Sequence, residues 1–218
     1  MMRAALTLVC VLALAAPAFA REPLPGTPDD LSVQAVHNFA TCIVDTTPKG
    51  AIDLLALDYR TPDYKKRMNR LASGHADGRC MTASVMRSND MLIAGGMAER
   101  LLVEKVNPAR FPSLVSYDAG AAPIEARSPA ELTAICVVRA EPARTWAIFK
   151  TDPTTADESH AMQAIGATLL NCVKAGQKMS FNKPGLRAML ALAAYRLTQP
   201  APIVAASARP VTENPGNQ

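Results

Sequence analysis

The chain has 218 residues, of which 23 are Lys or Arg and 19 are Asp or Glu, so its formal net charge at pH 7 is +4. This near balance argues against a general nucleic-acid or membrane-surface binder, in which basic residues clearly outnumber acidic ones. A chain of this length can bury a real core, either as one domain or as two small ones.

The N-terminal twenty residues have the three regions of a secretory signal peptide. Arg3 supplies the basic region, residues 4–16 are apolar, and Ala18–Phe19–Ala20 is a small-residue cleavage motif. We expect cleavage after Ala20, which leaves 198 residues and lowers the formal charge from +4 to +3 because Arg3 is removed. The apolar run is too short for a membrane span of about 20 residues, so we expect a periplasmic or secreted protein without a transmembrane segment.

The remaining chain contains an internal repeat. Residues 40–72 and the segment 94 positions later share eight identities in 33 aligned positions without a gap. We interpret this pattern as a duplication that divides the chain into a first unit (21–106), a connector (107–127), a second unit (128–198) and a Pro/Ala-rich disordered tail (199–218). The identical pairs are Ala40/Ala134, Cys42/Cys136, Val44/Val138, Pro48/Pro142, Asp58/Asp152, Thr61/Thr155, Asp63/Asp157 and Met68/Met162.

Each unit is predicted to contain four helices. In the first unit we expect a helix from Thr27, with Pro28 at its first position, to about Asp45, followed by helices that begin near Pro48 and after Thr61. A fourth helix is expected around the Gly95–Gly96 pair, whose small size would let another helix approach closely.

The second unit repeats this order. Capping boxes at Ser128–Glu131 and Thr155–Glu158 start its first and third helices, and Pro142 starts its second. An apolar stripe from Leu186 to Leu197 forms its fourth. No stretch shows the alternation typical of strands, so the predicted fold class is all-α, with about eight helices in two duplicated units.

Four cysteines remain after the predicted export, and an even number of cysteines in an oxidising compartment indicates disulfides. Four cysteines allow three connectivities. If each unit carried its own bridge before duplication, the pairs are Cys42–Cys80 and Cys136–Cys172, separated by 38 and 36 residues. Each such bridge is worth roughly 4 kcal/mol in the chain-entropy model.

The cysteine motifs, Cys42–Ile43–Val44 and Cys136–Val137–Val138, are each followed by a second cysteine. Together with Leu186–Arg187–Ala188–Met189–Leu190–Ala191, they resemble uncharacterised exported proteins of alphaproteobacteria, particularly sphingomonads. The resemblance spans most of residues 31–198. It implies a periplasmic or secreted helical protein and transfers no activity.

No complete catalytic, cofactor-binding or metal-binding set is recognisable, so we expect no catalytic residue, cofactor or metal ligand. His37, His75 and His160 have no two-ligand spacing, and His75 near Cys80 is only a weak metal candidate against an ordinary, partly exposed histidine. Four methionines spaced by five or six residues are a candidate for a periplasmic copper site with thioether ligands, although methionine is more often a core residue. The series is Met81, Met86, Met91 and Met97.

Two charged features remain as candidate sites. Glu99 replaces an apolar residue of the other unit, Leu192, and is interpreted as solvated or salt-bridged, with a catalytic acid as the alternative. A basic patch on the third helix would suit an anionic envelope partner, or is simply a solvated helix face. The basic patch consists of Lys65, Lys66, Arg67 and Arg70.

The sequence therefore predicts a non-enzymatic exported helical-repeat protein of a bacterial envelope, an interaction or structural module with an envelope component as its unknown partner and no nucleic acid. Two alternatives stay open. One is an envelope hydrolase with an acid in the cleft between the units, and the other is a periplasmic metal carrier that uses the methionine series.

Overall fold

The computed structural model describes residues 29–76, 78–81, 88–120 and 123–199. This part of the chain consists of helices joined by loops, without strands, so the predicted all-α class is confirmed. The ten helices are α1 (Asp30–Thr46), α2 (Pro48–Leu55), α3 (Pro62–Ala76), α4 (Asp90–Lys105), α5 (Phe111–Val115), α6 (Pro129–Ala140), α7 (Pro142–Phe149), α8 (Ala156–Gln163), α9 (Gly166–Cys172) and α10 (Lys183–Thr198).

The predicted number of eight helices is wrong for two local reasons. The connector contains the short helix α5, which is anchored because Phe111 is fully buried and its ring lies 4.9 Å from that of Trp146. The third helix of the second unit is divided into α8 and α9. The break precedes Gly166, and glycine is a poor helix former.

Side-chain caps fix several helix starts. Ser128 Oγ accepts a hydrogen bond from the Glu131 N–H, and Thr155 Oγ1 accepts one from the Glu158 N–H, as the predicted capping boxes require. The predicted start of α1 at Thr27 is wrong, because the helix begins at Asp30 and is capped by Asp29. Thr27 itself lies outside the described residues, as do the predicted signal peptide and residues 200–218 of the predicted tail.

Two pairs of helices, α2 with α7 and α4 with α10, begin and end at corresponding positions in the two halves. The second helices start at Pro48 and Pro142 and end at Leu55 and Phe149, an offset of 94 residues in both cases. The bounds of α4 and α10 are offset by 93 residues. This spacing agrees with the predicted repeat, while the duplication itself stays a prediction.

Helices α4 and α10 pack against each other at the centre of the molecule, with α1 against α4 and α6 against α10. The contact is close because a Cβ added to Gly95 would lie 2.4 Å from the Cα of Ala188. On its other side α4 meets α1, where a Cβ added to Gly96 would lie 2.7 Å from the Cβ of Ala40. The predicted close approach at this glycine pair is therefore confirmed.

Both predicted disulfides are present. Cys42 pairs with Cys80 and Cys136 pairs with Cys172, with Cα atoms 5.5 and 5.7 Å apart. The first disulfide links α1 to the segment after α3, and the second links α6 to the end of α9. Among the described residues, we find no helix with the length and apolar character that crossing a membrane requires.

Candidate functional site

A buried ion cluster lies where α10 meets α4 and α8. Arg187 of α10 donates from Nε and Nη2 to the two carboxylate oxygens of Glu99, both at 2.7 Å, in a bidentate pair. Its Nη1 donates to Glu158 Oε1 at 2.8 Å. The remaining donors reach Thr151, at the carbonyl oxygen (2.7 Å) and at Oγ1 (3.3 Å). Since a guanidinium has five N–H donors, this group is saturated by its protein partners.

Glu99 is held as a carboxylate. Burial alone would raise its pKa, but the hydrogen bonds from Arg187 and His37 and the Arg187 charge outweigh that effect and hold the pKa of Glu99 below its ordinary value. The His37 Nε2 lies 3.1 Å from Glu99 Oε1. Glu99 is therefore salt-bridged, as expected from the sequence, and is buried instead of solvated.

The geometry of the ion cluster suits a structural role better than a role in acid catalysis. A general acid must be protonated near the working pH and must reach the substrate. Glu99 is ionised, both of its oxygens accept hydrogen bonds from Arg187, and the Glu158 carboxylate caps its own helix by accepting from the Thr154 N–H at 2.8 Å. The same interactions raise the pKa of Arg187 against the opposing effect of burial.

An apolar pocket with a volume of about 150 Å³ lies on the other side of the α4–α10 pair. It is bounded by the ends of α2 and α10, the beginnings of α3, α4 and α6, and the loop that follows α2. Its wall is mostly apolar, with charged groups at one side. The lining residues are Leu55, Leu57, Tyr59, Tyr64, Lys65, Asn89, Asp90, Met91, Arg127, Glu131, Met189, Leu192, Tyr195 and Arg196.

Two arginines lie at the charged side of the apolar pocket. Arg196 is paired with Glu131 through a short hydrogen bond. The Arg127 side chain is only 16% exposed, and the nearest carboxylate oxygen to its guanidinium within the described residues, on Asp58, is 4.0 Å away. Burial, followed by repulsion from Arg196, lowers the pKa of Arg127. The charge of Arg127 is thus less compensated than that of Arg187.

Two tyrosines line the same wall, Tyr59 and Tyr64. The hydroxyl oxygen of Tyr59 is shielded from solvent and has no hydrogen-bond partner in the described part of the chain, which is costly for a polar atom. The Arg127 guanidinium lies over the Tyr59 ring, 5.7 Å from its centroid. The Tyr64 pKa is raised, chiefly by burial and then by the charge of Asp90.

The ion cluster and the apolar pocket occupy equivalent places in the predicted repeat. At an offset of 94, Tyr64 of the pocket corresponds to Glu158 of the cluster, and at an offset of 93, Leu192 corresponds to Glu99. The counterpart of Arg187 is the buried Ala94. Beside the ion cluster the remaining space is only about 40 Å³. Charged side chains thus occupy most of the space at the ion cluster, whereas the equivalent space at the apolar pocket is open.

The structure separates the other residues that the sequence singled out. All four members of the basic patch are exposed on α3; only Lys65 lines the apolar pocket, and Arg67 lies 3.9 Å from Asp53. His75 is buried, not partly exposed, and contacts the Leu71 carbonyl oxygen and Thr47 Oγ1. The cluster of metal ligands around it does not form, because Cys80 is in a disulfide.

The described members of the methionine series lie in different surroundings, and the metal-carrier reading stays a prediction. Met97 is fully buried in α4, Met91 lines the apolar pocket, Met81 packs against the core, and Met86 lies outside the described residues. Among the residues that the structure describes, no group of three or more His, Cys, Asp or Glu side chains is arranged to hold a metal ion.

Sequence reasoning missed Arg187, Glu158, Arg127 and Tyr59 as site residues. A signal existed for Arg187, since it is a charged residue inside the apolar stripe of α10, just as Glu99 is in α4. Two opposite charges buried in neighbouring helices are expected to pair. For Arg127 and Tyr59, which lie in loops, the sequence carries no comparable signal.

A scan against protein-family models and searches of curated proteins and of solved structures found no match to this chain.

Proposed function

We propose that this chain is a non-enzymatic, exported helical-repeat protein of the bacterial envelope that acts as a binding module, and that the apolar pocket is its binding site for a small molecule. The observation that carries this proposal is the pocket itself. It combines about 150 Å³ of mostly apolar space with the guanidinium of Arg127, whose nearest carboxylate oxygen among the described residues is 4.0 Å away. A concave apolar site with a few polar groups is the usual form of a ligand site.

The ion cluster supports a role without catalysis. Its arginine and its central carboxylate are fully engaged with each other and with neighbouring protein groups, so neither is available to a substrate. A catalytic reading of Glu99 would require a protonated, reachable carboxylic acid. The low pKa of Glu99 and its burial both oppose that reading.

Export is supported by three independent features. Residues 1–20 have the pattern of a cleavable signal peptide, the two disulfides suit an oxidising compartment, and the cysteine motifs resemble exported alphaproteobacterial proteins. We expect the intact mass of the protein recovered from the envelope fraction of its own cell to correspond to a chain that begins at Arg21. A mass that retains residues 1–20 would contradict export by this route.

The binding role is tested on protein purified from its native compartment. Denaturing extraction followed by mass spectrometry is expected to release a small molecule in about equimolar amount from the natural protein, and much less from a Leu192→Trp variant, whose larger side chain fills the apolar pocket. Leu170→Trp is the matched control because Leu170 is 76% exposed on α9 and is not among the pocket-lining residues. Equal recovery from both variants would place any bound molecule elsewhere.

A further inference from the structure

We propose that the ligand of the apolar pocket is a short amphipathic carboxylate, with its apolar part among the aliphatic side chains and its carboxylate at Arg127. This inference rests on the proposed binding function and specifies the chemistry of the ligand. It follows from the charge, the hydrogen bonding and the size of the pocket.

The charge of the pocket calls for an anion beside Arg127. The Arg127 guanidinium is mostly buried, its Nη1 donates to the Leu57 carbonyl oxygen at 3.1 Å, and Asp58 is its nearest carboxylate at 4.0 Å. Asp58 itself is already bound by Arg60, at 2.6 Å. Two further acids line the pocket, Glu131 and Asp90. Glu131 is paired with Arg196 and accepts from the Arg127 backbone N–H. A ligand carboxylate would supply the partner at hydrogen-bonding distance that none of these acids provides for the Arg127 guanidinium.

The hydrogen bonding of Arg127 calls for an acceptor. Its Nη1 donates to the Leu57 carbonyl oxygen, and its guanidinium lies over the Tyr59 ring, 5.7 Å from the centroid. Guanidinium groups bind carboxylates through paired hydrogen bonds. A planar carboxylate is therefore better suited to this side of the pocket than a neutral alcohol.

The size of the pocket limits the apolar part. A cavity of about 150 Å³ accommodates a benzene ring. The ligand therefore carries a single aromatic ring or an acyl chain of about six to eight carbon atoms. A longer acyl chain would extend out of the pocket into solvent, next to the exposed Lys65.

The other half of the molecule shows that this fold accepts a buried guanidinium–carboxylate pair at the equivalent place. There the protein supplies both partners, Arg187 and Glu99. In the apolar pocket Leu192 stands at the position that corresponds to Glu99, so no protein carboxylate is present at that position. The guanidinium in this pocket is that of Arg127, from the loop before α6. The missing carboxylate is the group that we assign to the ligand.

The test uses two matched pairs of probes, phenylacetate with phenylethanol and octanoate with octanol, titrated by calorimetry into the full exported chain. At least one carboxylate is expected to bind at one site per chain and at least tenfold more tightly than its alcohol. Arg127→Met keeps an apolar stem but removes the charge. It should weaken carboxylate binding at least tenfold and alter alcohol binding less than about twofold. Arg144→Gln, an exposed arginine on α7, is the control and should change neither.

Each outcome decides one of the two proposals. If a carboxylate and its alcohol bind equally, the inference about the ligand is wrong while the binding function stands. If none of the four probes binds, the inference about the ligand is wrong, and the extraction from the natural protein decides the binding function by itself. If Arg127→Met does not fold, the ratio between each carboxylate and its alcohol in the natural protein still decides. Binding that survives Leu192→Trp unchanged would overturn the assignment to this pocket.

Discussion

The charge of a buried side chain is compensated only when the protein itself supplies an oppositely charged partner nearby. Arg187 and Glu99 are both buried, and each would be costly alone, but their bidentate pair satisfies both. Arg127 is less buried and less compensated. The first arginine is therefore satisfied by protein groups, whereas the second has no carboxylate partner at hydrogen-bonding distance among the described residues.

The pairing of Arg187 with Glu99 is expected to be strongly non-additive. Glu99→Gln and Arg187→Met should each lower the free energy of unfolding by about 3 kcal/mol, because each change leaves a buried charge without its main partner. The double variant should lose clearly less than the sum. Urea titrations of the four proteins give the coupling energy, and a value near zero would show that the two side chains act independently.

The stability of the protein should decrease in acid partly through Glu99. Its pKa is lowered in the folded protein from a reference value of 4.5, so the unfolded chain binds the proton first as the pH falls. The contribution is fully present above about pH 4.5 and is lost as the pH falls through the lower folded pKa. Thermal unfolding from pH 6 to pH 3 should show a smaller loss for Glu99→Gln than for the natural protein. Parallel curves would exclude this contribution.

Packing between helices depends on side-chain size at a few contacts. The α4–α10 contact has no room for a methyl group at Gly95, whereas Gly74 in α3 has no other atom within 4 Å of an added Cβ. The same substitution therefore has opposite effects in two helices of one protein.

We expect Gly95→Ala to lower the free energy of unfolding by about 1–3 kcal/mol, because the helices must move apart. Gly74→Ala should raise it by about 0.5–1 kcal/mol, since alanine favours an exposed helix more than glycine does. Chemical denaturation measures both. A neutral or stabilising Gly95→Ala would show that the helices are not in tight contact there.

The two disulfides link elements within each half, and both should be fully formed in the protein purified from its native compartment. A non-reducing peptide map with free-thiol counting is expected to recover Cys42 with Cys80 and Cys136 with Cys172. Replacing both cysteines of one pair by serine should cost about 2–4 kcal/mol, because the unfolded chain gains freedom. Bridges that cross between the halves would contradict the pairing.

The whole molecule is held together by the contact between its halves, because α4 of one half and α10 of the other bury their apolar faces against each other. The two halves then use equivalent places differently, one for an ion cluster and one for an open pocket.

We expect the halves not to fold separately. Residues 128–199 expressed alone would expose the face of α10 that packs on α4, including Ala188. This fragment should lack a cooperative thermal transition by circular dichroism, while the complete chain should unfold in one transition. A cooperative transition in the fragment would show that each half is an independent domain.

The helical class, the capping boxes and the cysteine pairing were predictable, since they depend on residues close in sequence or on the internal repeat. The helix in the connector was not, because the burial of Phe111 against Trp146 anchors it. The start of α1 and the break before Gly166 were missed although their signals, the Asp29 cap and a glycine, are local. Whether a charged side chain is solvated, paired or left facing a pocket depends on groups distant along the chain. Arg187 donates a hydrogen bond of 2.7 Å to the carboxylate of Glu99, which is 88 residues away along the chain. The Arg127 guanidinium has no carboxylate oxygen closer than 4.0 Å among the described residues. Only the packing of α4 against α10 brings these groups together or keeps them apart, and so only the tertiary structure distinguishes the ion cluster from the apolar pocket.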